Sequence, residues 1–128
     1  LTQAALVHEG ASGSALTLVG IAEPKAQGGE RAVTTVSARL EGDGLEPSPQ
    51  LGFAGAAALD AQGRIFGMVT LKAPVLASAG AASVPAATVV PVDAIRQFLD
   101  SQYVTPATGG GGVEAAKASV VRVICVRR

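Results

Sequence analysis

The sequence is short of the residues that usually carry chemistry or fasten a fold. It has one cysteine, Cys125, so no disulfide can close within the chain and no Cys-x-x-Cys pair exists. Its one histidine, His8, together with that cysteine is too few ligands for a structural zinc site, so no metal site is expected. Tryptophan is absent and aromatics are 3% of the residues, so a core must be built from Ala, Val, Leu and Ile. Neither sign of charge is in excess, with 10 Lys+Arg against 10 Asp+Glu, which removes the electrostatic case for nucleic acid or an anionic membrane surface. No apolar run approaches the ~18 residues of a membrane-spanning helix, and no secretory signal pattern opens the chain. The chain starts at Leu1 rather than Met and reads as a piece of a longer protein.

What is present is enough for one domain. The 128 residues are 48% hydrophobic, which suits a single packed core. An apolar patch at residues 4–7 is an edge-strand candidate, and residues 15–21 (with Leu16, Leu18, Val19 and Ile21) form a second strand candidate. Residues 31–41 alternate well: Ala32, Thr34, Val36, Ala38 and Leu40 share one face and a wetter set the other, as in a half-buried antiparallel strand. Residues 42–50 carry Gly42, Gly44, Pro47 and Pro49 and read as a loop, and so do residues 73–85. A short β-branched run at residues 87–90 ends at Pro91. Asp93 is placed as the N-cap of a helix that docks through Ile95, Phe98 and Leu99.

The most organised stretch is a β-hairpin. A small apolar run at residues 56–59 meets the turn Asp60-Ala61-Gln62-Gly63, and a second run leaves it at residues 65–71. Asp60 can accept hydrogen bonds from the backbone ahead of it, and Gly63 can adopt a positive φ. Ile65, Val69 and Leu71 on one side and Phe66 and Met68 on the other suggest a strand buried on both faces.

The segment before that turn, Gly52-Phe53-Ala54-Gly55-Ala56-Ala57, resembles the nucleophile turn of trypsin-like serine peptidases, most closely their bacterial high-temperature-requirement branch. That family reads Gly-Asn/Asp-Ser-Gly-Gly-Pro, followed by a short strand and Asp-x-x-Gly. Residues 87–99, with Val89, Val90, Pro91, Asp93, Ile95 and Leu99, resemble the last strand and C-terminal helix of the same branch. The resemblance spans roughly residues 15–100 and implies a single second-lobe barrel, six-stranded and antiparallel, with one C-terminal helix. It also implies that the nucleophile is gone. Ala54 stands at the serine position, Phe53 at the acid or amide, and Ala56 and Ala57 at Gly and Pro, four departures in six positions. The family's catalytic His and Asp belong to a first barrel that this chain does not contain. His8 corresponds to neither.

The remaining chemistry is slight. Acyl transfer needs a serine oxygen, a histidine base, an orienting aspartate and oxyanion donors. Of these only the backbone N–H groups of Gly52 and Ala54 are left, as a vestigial oxyanion turn or as an ordinary tight turn. Phe53 is either a specificity element or, on the preferred reading, a core filler that replaces polar groups. Cys125 and His8 could be imagined as a thiol–imidazole pair, but a small core cysteine is preferred. Four consecutive glycines, Gly109, Gly110, Gly111 and Gly112, lack the Lys-Ser/Thr of a phosphate loop, and no cofactor site is expected.

The sequence therefore divides into a barrel with its helix at residues 1–103, a glycine-rich linker at 104–118 and a C-terminal strand at 119–128. That strand, rich in Val and Ile, is expected to pair with a barrel edge of its own chain or of a second copy, giving a homodimer. The expected role is that of a non-catalytic structural or protein-interaction module in a larger bacterial protein of the envelope or secreted fraction. The alternatives are half of a peptidase whose other lobe lies upstream, and a module that binds a peptide along the former substrate edge. Neither a nucleic-acid nor a membrane partner is expected.

Overall fold

A computed structural model describes residues 15–23, 32–42, 44–72, 86–106, 112–121, 123 and 125–127. The patch at residues 4–7, His8 and the loop at 73–85 lie outside them. Six strands form a closed barrel: β1 (Ala15–Gly20), β2 (Thr34–Glu41), β3 (Gly44–Glu46), β4 (Ala57–Leu59), β5 (Ile65–Lys72) and β6 (Ala86–Pro91). The order around the ring is β1-β2-β3-β6-β5-β4, every pairing is antiparallel, and β4 returns to β1 through the Leu18↔Ala58 register. Closure leaves none of these strands with a free edge. Two helices, α1 (Val92–Ser101) and α2 (Val113–Ser119), lie outside the ring.

Period-two alternation decides what points inward. Leu16 and Leu18 of β1, Ala38 and Leu40 of β2 and Ala58 of β4 fill the interior, while Arg39 and Glu41 of β2 face solvent as expected. The barrel's sixth strand comes from the stretch read as a loop. Gly42 turns the chain back at φ 61°, and Leu45 of β3 lands opposite Leu40 with its side chain buried. A three-residue strand between a glycine and a proline is too short to show a period. β3 reaches β6 through a single registered pair, Gly44↔Thr88, the thinnest seam of the ring.

β5 corrects the expectation of a strand buried on both faces. Its register with β4 passes from Ala58↔Gly67 to Leu59↔Ile65, so Phe66 is an extra, bulged residue. The bulge switches the parity: Phe66 and Val69, three apart, both join the interior, and Met68 is exposed. Phe66, Val69 and Leu71 thus share the interior across the bulge, while Ile65 packs outside it with Val19 and Leu59.

β6 runs straight into α1. Pro91 still pairs with Gly67 and is at the same time the helix N-cap, so Asp93 is a first-turn residue and not the cap. The docked stripe is also turned from the expected one. Val92 is buried, Ile95 and Leu99 are half-buried, and Phe98 is 64% exposed. The N-cap lies two residues before the expected one, and the docked face carries Val92 in place of Phe98.

α2 corrects the reading of residues 104–118 as linker throughout. Ala115, Ala116 and Lys117 are good helix formers, and Ala116 sits 2% exposed against Val19 and Leu59 on the outer face of β1 and β4. The strand expected over 119–128 begins instead as helix, since Ser119 is the last residue of α2. The described residues beyond it lie in no strand, and Val121, Val123, Cys125 and Val126 are exposed. Cys125 is therefore not the small core residue expected.

Candidate functional site

The residues matched to the peptidase turn sit between β3 and β4. Leu51–Phe53 form one turn of 3-10 helix, followed by Ala54 and Gly55. The turn closes on itself: the Phe53 N–H donates to the Gln50 carbonyl at 2.9 Å, Ala54 N–H to Leu51 at 3.1 Å, and Ala56 N–H to Phe53 at 2.9 Å. Gly55 N–H donates across to the Val69 carbonyl at 2.8 Å, and Val69 N–H returns a bond to Ala56 at 2.8 Å, so the turn is stitched to β5. Of the two N–H groups expected to line an oxyanion pocket, that of Ala54 is thus spent inside the turn. Gly52 presses against the backbone of Ile21 and Ala22, where any Cβ would collide.

Phe53 settles in the core. Its side chain is 1% exposed, and Gly20 on β1 makes room for the ring, since a Cβ there would fall 2.9 Å from Cδ1. The reading of Phe53 as core filler holds. An acid or amide at the same backbone position would need polar partners in this apolar interior.

The hairpin tip behaves as its sequence suggests. Asp60 Oδ1 accepts the N–H groups of Gln62 at 3.0 Å and Arg64 at 2.9 Å, while Oδ2 meets the Arg64 guanidinium at 3.1 Å. Gly63 takes φ 75°. Asp60 thus shapes the turn and is not presented to a ligand.

Beside the turn at residues 51–55 lies a half-open cavity of about 580 Å³. One side is Gly20, Ile21 and residues 51–52 and 54–57. The other is Ala116 and Ser119 of α2 with Val120, Val121 and Val123. Among the described residues no ionisable side chain lines it, and the one described side-chain hydroxyl there, that of Ser119, donates to the Ala115 carbonyl at 2.8 Å. Sequence reasoning found the turn side of this cavity but missed the α2 side, for which the only signal was the short run Ala115-Ala116-Lys117 after the glycines. No group of acidic, His or Cys side chains able to hold a metal occurs among the described residues, and no described helix is long and apolar enough to cross a membrane. The arrangement can enclose an uncharged apolar group. No family model, curated protein or solved structure matches the chain.

Proposed function

We propose that the chain is a non-catalytic barrel of the trypsin-like kind, serving as a structural or protein-interaction module of a larger bacterial protein. The observation that carries this reading is the state of the nucleophile frame, where Ala54 has only a methyl group and Phe53 is buried beside Gly20. A closed six-stranded antiparallel barrel followed by a helix is also the architecture that the sequence resemblance implies. The cavity supports the interaction side of the proposal. Its described lining is apolar, so the segment it suits is an uncharged, apolar one.

A serine-directed phosphonate probe tests the loss of chemistry. The chain should not be labelled, and Ala54→Ser should not be labelled either, because a hydroxyl with no base beside it is a poor nucleophile at neutral pH. Labelling of the native chain at any residue, or of the variant at residue 54, would overturn the proposal.

A further inference from the structure

We propose that α2 and the chain just after it form a detachable strap, clasped at Gly63–Gly112, which undocks from a barrel that stays folded. The clasp is a backbone contact. Gly112 N–H donates to the Gly63 carbonyl at 2.9 Å, and the two glycines approach so closely that a Cβ on Gly63 would lie 2.5 Å from Gly112 Cα. Both need a positive φ, 75° and 115°. Beyond the clasp the hold is short and apolar. Ala116 is the one buried residue of a seven-residue helix, Val113 and Val120 pack half-buried beside it, and Lys117 pairs at 3.5 Å with Glu114 of the same helix.

The barrel does not depend on the strap for closure, since all six seams of the ring are made between strands. What the strap supplies is cover. Val19 and Leu59 are fully buried although they point outward from β1 and β4, and Ala116, with half-buried Val113 and Val120 on either side, lies over them. The same segment, through Ala116, Val120 and Val121, faces Gly52 and Ala54 across the cavity. Undocking therefore bares an apolar face and removes one side of the cavity in a single movement. The inference rests on the clasp and the cover, and holds whether or not the barrel is peptidase-like.

Native-state hydrogen exchange of the whole chain, read by residue, tests it with two variants. Gly63→Ala and Gly42→Ala both place a side chain at positive φ in a hairpin turn, but Gly42 has open space where Gly63 meets Gly112. In the native chain the amides of Ala116 and Val120, bonded to Gly112 and Ala116 carbonyls, should exchange on the order of 100-fold faster than the slowest barrel amides, as for a unit that opens locally. Gly63→Ala should speed them by roughly a further 10-fold or more, with the barrel amides moving no more than in Gly42→Ala. The proposal fails if α2 amides exchange at the slowest barrel rate in the native chain, or if both variants shift α2 equally. A Gly63→Ala chain that does not fold while Gly42→Ala folds would also overturn it, because the strap would then belong to the barrel's single cooperative unit.

Discussion

α1 and α2 both lie against the outside of the barrel, but they reach it differently. α1 is ten residues long, continues directly from β6, and rests on the sheet through half-buried Ile95 and Leu99 with Val92 beneath its first turn. α2 is seven residues long, follows a glycine-rich stretch, and sets Ala116, between half-buried Val113 and Val120, against Val19 and Leu59. Covalent continuity places α1, so its side chains can pack shallowly. α2 has no such guide, and its position depends on close approach: a methyl at Ala116 and two glycines at the clasp. The smaller helix is thus the one whose contacts tolerate least change.

Substitutions on the two sides should separate these modes. The largest effect belongs under α2. Leu59→Ala should cost about 2–5 kcal/mol, as for a fully buried leucine, while Leu99→Ala beneath α1 should cost less than half as much because Leu99 is only half-buried. Denaturant midpoints measure both, and equal costs would break the comparison. Next is Ala116→Leu, which should destabilise by about 1–3 kcal/mol because the larger side chain has to push α2 off Val19 and Leu59. Ala94→Leu, on the exposed side of α1, is its control and should stay within about 0.5 kcal/mol of the native chain. A third change acts on the end of α1. Val104 N–H bonds the Leu99 carbonyl at 2.9 Å and Tyr103 N–H that of Asp100 at 3.1 Å, the pattern that usually ends a helix at glycine. Here the left-handed position holds Tyr103, at φ 56° with its side chain 98% exposed. Tyr103→Gly should therefore stabilise the chain by about 1 kcal/mol, read as a higher melting temperature.

The parts of the fold that announced themselves in the sequence are those with a clear period or a turn with its own chemistry. β2 showed its alternation, and the Asp60 to Gly63 turn carried both the acceptor and the glycine that its geometry needs. β3 was hidden because three residues cannot display a period, and the bulge at Phe66 because its extra residue makes one buried face look like two. α2 was hidden for a different reason: its stripe, Val113, Ala116 and Val120, is short, has only a methyl group at its centre and follows directly on four glycines. At the candidate site, Ala54 and the burial of Phe53 could be anticipated from residue type. The closing of the turn through the Ala54 N–H, and the second side of the cavity, follow from backbone geometry that no residue identity encodes.

The smallest effects test how α1 begins and how it sits. Because Pro91 and not Asp93 is the N-cap, Asp93→Ala should lose only the favourable placement of a carboxylate in the first helical turn, about 0.3–1 kcal/mol, and the loss should shrink in high salt. A capping role would instead give a loss that salt leaves in place. Phe98→Ala is the sharpest check of the helix's orientation. A buried phenylalanine would cost about 3–5 kcal/mol on truncation. Phe98 is the largest apolar side chain of α1, but it projects away from the stripe formed by Val92, Ile95 and Leu99, and 64% of it is exposed. Its removal should therefore change stability by no more than about 0.5 kcal/mol. The two orientations differ by less than a one-residue rotation of the helix, yet their expected costs differ several-fold. A midpoint shift of the buried size would mean that α1 docks through Ile95, Phe98 and Leu99, and that the contrast between the two helices is less than described.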